Sequence, residues 1–165
     1  MNPSDKQIWL FRCTLSVDNL AAAWLVSRFG RGAEVQFVSD PERTAGSLQQ
    51  GIGQSNFSEG TSTLFLPERA GSRFESALVH FAPDDPALRK LAALVRECDH
   101  RSETPPPLAV SLTALVEGWR LLPLPASTDG SQYGPARARQ TLVYAMPVFD
   151  AVYAYFCNLF EGPTH

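Results

Sequence analysis

Cysteine and long apolar runs are both scarce in this 165-residue sequence. The three cysteines, Cys13, Cys98 and Cys157, form no CxxC pair, and an odd number is a poor disulfide framework, so we expect reduced thiols in a cytosol. No stretch reaches the roughly 18 consecutive uncharged apolar residues of a membrane span, and the amino terminus lacks a signal-peptide pattern. These absences predict a cytoplasmic protein that does not enter the membrane.

An excess of positive charge is lacking as well. Lys and Arg number 14 against 17 Asp and Glu, so the formal net charge is -3 and nothing draws the chain generally toward nucleic acid or anionic lipid. Glycine-rich nucleotide-binding motifs, a GxSxG nucleophile motif and an HExxH zinc motif are all absent. The sequence by itself therefore indicates no reaction. We assign no catalytic residue, and a role without catalysis is favoured.

The apolar residues that are present, 44 % of the chain, suffice for one compact core. A short apolar and aromatic run predicts a strand over Gln7 to Cys13, and alternation of apolar and polar residues predicts another over Ala33 to Val38. A third strand is predicted over Thr61 to Pro67. Between the first two strands the pattern predicts a helix that is capped by Ser16 and ends at Gly30. A strand, a helix and a strand in this order favour parallel pairing through a right-handed crossover.

Helical spacing predominates in the rest of the chain. It predicts helices over Ser72 to Phe81, Pro86 to Asp99, Leu108 to Leu122 and Pro135 to about Phe160. Residues 41–60 offer only a short helix, and Pro147 predicts a kink or a fresh start in the last helix. We therefore expect an α+β fold, a mostly helical single domain over residues 1–165 with a small sheet of about three strands near the amino terminus.

Arg28 is the first candidate for a site. It lies on the same side of its predicted helix as Trp24, so its stem should pack and its guanidinium should meet a partner. One interpretation is a structural ion pair with Asp18 or Glu75. The other is anion binding, because a guanidinium suits both carboxylates and tetrahedral oxyanions.

Asp150 is the second candidate, since it interrupts the very apolar stretch PVFDAVYAYF. Its carboxylate lies either on the wet side of the helix or against a partner such as Arg28, and burial would shift its pKa and mark a site. The aromatic residues around it are expected in the core. They include Tyr144, Tyr153, Tyr155 and Phe156.

Cys98, Asp99 and His100 bring three kinds of metal ligand to one helix end. Adjacent helical positions point about 100° apart, so three neighbours cannot converge on one ion within the helix. We interpret them as a buried thiol beside a solvated helix end. A zinc site of three histidines would need every histidine of the chain, including His165 at the last position.

Four segments carry a family resemblance. They are DNLAAAWLVSRF at Asp18 to Phe29, AEVQFV at Ala33 to Val38, DPALRKLAALVRECD at Asp85 to Asp99, and FDAVYAYFCNLFEGPTH at Phe149 to His165. Together they resemble the carboxy-terminal domain of the bacterial chromate-resistance (ChrB-like) family, over about Trp9 to His165. Full-length members pair this domain with an amino-terminal part that controls a chromate efflux gene, so the resemblance implies a stress-response role.

The sequence is a divergent member by this comparison. Asn19 stands where the family has Arg, Ala22-Ala23 where it has Cys-Pro, and Ser72 where it has Cys. If the family's polar cluster is a metal or oxyanion site, the resemblance leaves this chain mainly hard acids with one cation and one histidine. The residues that remain are Asp18, Glu75, Asp99 and Asp150, with Arg28 and His165.

Three functions are compatible with these observations. The favoured hypothesis is a cytoplasmic sensor or accessory domain that binds a small oxyanion or a metal ion in a pocket around Arg28, Asp99 and Asp150. The second is a divergent binding module that forms homodimers through its apolar last helix. The third is a metal-dependent redox or detoxification enzyme.

A divalent metal ion is the cofactor considered, and its candidate ligands are Glu75, Asp99, Asp150 and His165. Asp18 and Glu75 are further candidates for ligand binding.

Overall fold

The structure is a computed structural model, and it describes residues 7–49, 62–65, 72–82, 84–99, 103–122 and 134–161. Helices and strands are numbered separately in chain order. They are β1 (Gln7–Arg12), α1 (Val17–Phe29), β2 (Ala33–Val38), α2 (Pro41–Gln49), β3 (Ser62–Phe65), α3 (Arg73–Phe81), α4 (Pro86–Asp99), α5 (Pro107–Leu121) and α6 (Pro135–Glu161). Helix predominates, as the sequence predicts.

The small sheet is parallel, with the strand order β2-β1-β3. The register of the first pair runs from Gln7 opposite Ala33 to Arg12 opposite Val38, and β3 pairs with the other edge of β1. Parallel sheets are covered on both faces. The run Ile8–Phe11 in the central strand is accordingly buried at every position.

The two faces of this sheet are covered unequally. Trp9 and Phe11 point to a large core that α1, α3, α4, α5 and α6 build on one face. Ile8 and Leu10 point the other way and form a small cluster with Ala45 of α2. The main core, and with it the candidate site, therefore lies on one side of the sheet.

The helix α1 is the centre of the main core. Ser16 caps it as predicted, because its side-chain oxygen accepts a hydrogen bond from the backbone N–H of Asn19 at 3.2 Å. Every residue from Val17 to Val26 is buried. Four helices and the strands β1 and β2 contact α1, so these residues are covered on all sides.

Gly30 ends α1 at a point where the neighbouring backbone leaves no space for a side chain. Its φ is -80°, a value open to any residue. A Cβ atom there would lie 2.6 Å from the carbonyl oxygen of Val26 and 2.8 Å from the Cβ of Ala33. The close approach of β2 to the end of α1 therefore requires glycine at this position.

The helix α6 runs without interruption through Pro147, so of the two predicted alternatives, a kink or a fresh start, the fresh start is wrong. Pro147 lacks the N–H that the carbonyl of Val143 would accept from. Both residues are exposed, and water can take the place of the missing donor. Packing on the opposite side, where Ala145 and Phe149 are buried, offsets the remaining cost.

By length and composition alone, α6 is the one described helix long and apolar enough to cross a membrane. A helix in the core of a protein can meet the same criteria.

The outer side of α6 also corrects a prediction about aromatic residues. Tyr144 and Tyr155 are exposed, whereas Phe156 is buried and Tyr153 is partly buried.

The strand predicted over Thr61 to Pro67 corresponds to β3, and the short helix predicted within residues 41–60 corresponds to α2. Residues 50–61 lie outside the described part of the chain. The α+β class is thus broadly confirmed, with a small parallel sheet and helices over most of the described residues.

Replacing the glycine at the end of α1 tests the close contact described above. We expect Gly30→Ala to destabilise the protein by about 1–3 kcal/mol, because the added methyl group forces backbone apart in a packed region. Urea unfolding measures the change.

Gly118 of α5 is the matched control, since a Cβ there meets nothing within 4 Å. Gly118→Ala should leave stability unchanged or raise it by about 0.5–1 kcal/mol through helix propensity. Equal effects at both positions would contradict the steric account of Gly30.

Candidate functional site

Arg28 and Asp150 form an ion pair that joins the last turn of α1 to the middle of α6. Nε of Arg28 donates to Oδ1 of Asp150 at 2.9 Å, and Nη2 donates to Oδ2. Trp24, one turn earlier on α1, donates its indole Nε1–H to the same Oδ1 at 2.8 Å. The carboxylate of Asp150 thus accepts three hydrogen bonds from one helix, two of them from a guanidinium fork.

This pair is partly open to solvent, with 47 % of the Arg28 side chain and 39 % of the Asp150 side chain exposed. Burial raises the pKa of Asp150, but the hydrogen bonds from Arg28 and Trp24 and the charge of Arg28 outweigh it. The pKa of Asp150 therefore lies below its usual range, and hydrogen bonding to Asp150 raises the pKa of Arg28. Asp150 was expected either on the wet side of its helix or against a partner such as Arg28, and the contact with Arg28 is observed.

A second hydrogen bond lies one turn further along α6. The hydroxyl of Tyr153 donates to Oδ2 of Asp85 at 2.8 Å, while Oδ1 of Asp85 accepts from the backbone N–H of Leu88 at 2.9 Å and caps α4. Burial, the hydrogen bond to Asp85 and the neighbouring Cys157 all raise the pKa of Tyr153. The phenol thus stays protonated and ties α6 to the start of α4.

Asp18 is not the partner of Arg28, contrary to one of the two interpretations. It is buried, and its carboxylate caps the neighbouring helix α3. It accepts from the hydroxyl of Ser72 at 2.6 Å and from the backbone N–H groups of Arg73 and Phe74 at 2.9 and 3.0 Å. A carboxylate at a helix amino terminus is favoured by the helix dipole.

Asn19, next to Asp18, completes this cluster and was not singled out as a site residue from the sequence. Its Nδ2 donates to the carbonyls of Arg12 and Thr14, both at 2.8 Å, and its Oδ1 accepts from Nη1 of Arg73 at 3.3 Å. The available signal in the sequence was an amide directly before the apolar run LAAAWLV, where a buried side chain must find hydrogen-bond partners. The side chain fixes the β1–α1 connection to α3.

Glu75 is not the partner of Arg28 either. It lies on α3, and one of its carboxylate oxygens accepts from Nη2 of Arg96 on α4. It therefore takes part in a bridge between two other helices, away from the Arg28 fork that Asp150 occupies. The prediction of an ion pair between Arg28 and Glu75 is wrong.

Asp99 is the last residue of α4, whereas the Asp85 cap lies at the beginning of that helix. A helix of 14 residues is about 20 Å long. Because Tyr153 holds the Asp85 end beside the Arg28–Asp150 pair, Asp99 lies at the far end of α4. The prediction that Arg28, Asp99 and Asp150 lie in one pocket is therefore wrong for Asp99.

No group of three His, Cys, Asp or Glu side chains that could hold a metal occurs in the part of the chain that the structure describes. Asp150 is engaged by Arg28 and Glu75 by Arg96, on different helices. His165 and His100 lie outside the described residues.

Cys98 is half-buried, and its thiol points to the carbonyl oxygen of Ala109 at 3.6 Å. Burial raises the pKa of this thiol, while Asp99 beside it is exposed. Burial likewise raises the pKa of Cys13. Thiols with raised pKa values are poor nucleophiles. The expected thiol beside a solvated helix end is observed at Cys98 and Asp99, but the thiol is half-buried and not fully buried.

A comparison with known protein families shows to which family this chain is related. The family described as ChrB, C-terminal domain, matches residues 9–156. The chain belongs to this family. Neither a curated protein nor a solved structure matches it. Membership relates the function of this chain to chromate resistance.

Two of the departures from the family pattern lie together in the fold. Asn19 and Ser72 both belong to the cluster around Asp18, where Ser72 donates to that carboxylate. This cluster is internally hydrogen-bonded, and no buried side-chain nitrogen or oxygen is without a partner in the described residues. The more open polar group on α1 is Arg28, at the other end of the helix.

Removing the buried cap tests the structural role of Asp18. We expect Asp18→Ala to destabilise the protein by about 3 kcal/mol, because it leaves two backbone N–H groups and a hydroxyl without their charged acceptor. Ser16→Ala, which removes an ordinary cap of α1, should cost only about 1 kcal/mol. Denaturant titration compares the two. A loss at Asp18 no larger than that at Ser16 would contradict this assignment.

Acid should weaken the link between α1 and α6. The pKa of Asp150 is lower in the folded protein, so its contribution is complete above the unfolded value, about 3.9, and is lost as pH falls through the folded value. Both side chains are partly exposed, so we expect only about 1 kcal/mol from the pair.

The check is urea unfolding of the protein and of Asp150→Asn at neutral pH and near pH 2. The variant should be less stable at neutral pH, and the difference should shrink in acid. A difference that is constant with pH would show that the charge of Asp150 does not contribute.

Proposed function

We propose that this domain is a cytoplasmic sensor or accessory domain in chromate resistance, and that Arg28 is the residue that binds a tetrahedral oxyanion. The observation that carries the proposal is the partly exposed, bidentate pair between Arg28 and Asp150. A guanidinium presents the same two parallel donors to a carboxylate and to a tetrahedral oxyanion. Free cysteines at all three positions agree with a reducing compartment.

The proposed event is an exchange of anions at Arg28. The carboxylate of Asp150 occupies the fork in the absence of ligand, and water already reaches both side chains. A partly exposed ion pair costs only about 1 kcal/mol to open, and a doubly charged oxyanion attracts the guanidinium more strongly than one carboxylate does. Asp150 is then held by Trp24 alone on the α1 side.

This exchange would couple the ligand to the packing of α6. The Arg28–Asp150 pair joins α1, at the centre of the core, to the carboxy-terminal helix. A ligand that binds better when the pair is open shifts the population toward a looser α1–α6 contact. The domain would thereby report the anion as a change in the packing of α6.

A metal ion has less support at this site. The guanidinium of Arg28 repels a cation, and the described residues bring no three ligands together. The same observation gives no support to a metal-dependent enzyme built on the described acids. An anion is therefore the ligand class that the local charge favours.

Isothermal titration with sulfate, molybdate and chromate, against chloride at equal ionic strength, tests this proposal. Sulfate and molybdate share the tetrahedral shape of chromate without its oxidising power. We expect the oxyanions to bind, Arg28→Ala to abolish binding, and Arg28→Lys to weaken it because the fork is lost. Asp150→Asn should bind roughly tenfold more tightly, since the competing charge is removed while the side-chain shape remains.

The matched control is Arg89→Ala, which removes a different exposed arginine that also pairs with an aspartate, Asp84. It should leave binding unchanged. Absence of oxyanion binding to the unaltered protein, or equal affinity in Arg28→Ala, would overturn the proposal.

A further inference from the structure

The side of α6 that faces away from the core is apolar from Val143 to Leu159, and the exposed Arg139 precedes this stretch by one turn. Its outer face is defined by Val143, Tyr144, Pro147, Ala151, Tyr155 and Leu159, and all six are exposed. Residues 143, 147, 151 and 155 recur every four positions, which places them along one side of a helix. Between residues 140 and 160 the one charged residue is Asp150, and it is engaged by Arg28.

We propose that this outer face binds the same face of a second copy of the chain, with the two α6 helices antiparallel about a two-fold axis at Ala151. The inference does not depend on the anion site. It rests on the size of the face, on its lack of charge and on the order of its side chains.

The apolar surface approaches the size that a dimer needs. Val143 is 64 % exposed, Tyr144 40 %, Tyr155 55 % and Leu159 56 %. Half-exposed side chains of this size present on the order of 100 Å² each, and the intervening Pro147 and Ala151 add to them. A patch of several hundred Å² is large for a monomer surface, and a standard interface buries about 800 Å² on each partner.

The order of residues along the face is self-complementary. In an antiparallel pair centred on Ala151, that alanine meets its own copy, Pro147 meets Tyr155, and Val143 meets Leu159. Large side chains at one end thus lie over smaller ones at the other. The small residue at the axis lets the two helices approach closely, toward the 8–10 Å separation of packed helices, as an isologous interface requires.

The absence of charge favours a second copy over a lipid surface. Two identical faces that carry no charge meet without like-charge repulsion, although each copy has a net charge of -3. A helix that lies on a membrane usually has Lys and Arg beside its apolar face. Here the charges beside the face are the Arg28–Asp150 pair, which is neutral as a unit, and Arg139 at its amino-terminal end, and the inner side of α6 is packed against α1 and α4.

Sedimentation velocity over a concentration series tests the proposal on the full chain. The unaltered protein should dimerise, and Ala151→Glu should raise the dimer dissociation constant at least tenfold, because two carboxylates meet at the axis. Ala93→Glu is the matched control, since Ala93 is an exposed alanine on α4, and it should leave the dissociation constant unchanged. Circular dichroism of both variants confirms folding.

Cross-linking supplies a test that does not depend on a disruptive substitution. Ala151→Cys should form an intermolecular disulfide on mild oxidation, because residues at a two-fold axis bring their Cβ atoms near the roughly 4 Å that a disulfide needs. Ala93→Cys and the unaltered protein should not. Mixing Ala151→Glu with Ala151→Lys should restore a mixed dimer.

Three outcomes would overturn the inference. They are a monomer at every concentration, a dimer that is insensitive to Ala151→Glu and not cross-linked through position 151, and flotation of the monomer with anionic phospholipid vesicles. The last would assign the face to a membrane. Absence of oxyanion binding to an unaltered protein that still dimerises would overturn the anion proposal alone, so the two proposals fail separately.

Discussion

The burial of α1 on all sides is the constraint on which the rest of the structure depends. A helix that is buried over its first ten residues has no face for polar groups, so each polar group on it must find a partner within the protein. At its amino-terminal end Asp18 and Asn19 bond to α3 and to the end of β1. At its carboxy-terminal end Trp24 and Arg28 bond to α6. The polar residues of α1 thereby position the neighbouring helices.

The two ends of α1 differ in their access to water, and this difference separates structural from functional candidates. The carboxylate of Asp18 is buried and fully occupied by donors from α3, so exchange with a solute would expose unsatisfied groups. The Arg28–Asp150 pair is partly solvated, and its partners can separate at low cost. The same helix thus has a buried, fully hydrogen-bonded cluster at its amino-terminal end and a partly solvated contact with α6 at its carboxy-terminal end.

Local signals predicted much of the fold. The Ser16 cap, the start of α4 at Pro86 and the alternating pattern of β2 need only neighbouring residues, and all three agree with the structure. Where the outcome depended on surroundings, prediction failed. Pro147 does not end α6, because its exposed side tolerates a missing hydrogen bond while the buried side packs. Tyr155 is exposed, because helical spacing does not say which of two apolar sides faces the core.

For the candidate site, residue type determined which side chains needed partners, and tertiary structure determined which partners they received. An arginine and an aspartate in apolar helices indicated charges that had to be paired, and Arg28 with Asp150 was one of the pairs considered. Asp18, Glu75 and Asp99 are equally acidic, yet their helices direct them to α3, to Arg96 and to the far end of α4. Pairing energy depends on distances of a few ångströms. Only the packing of helices that are distant in sequence sets those distances.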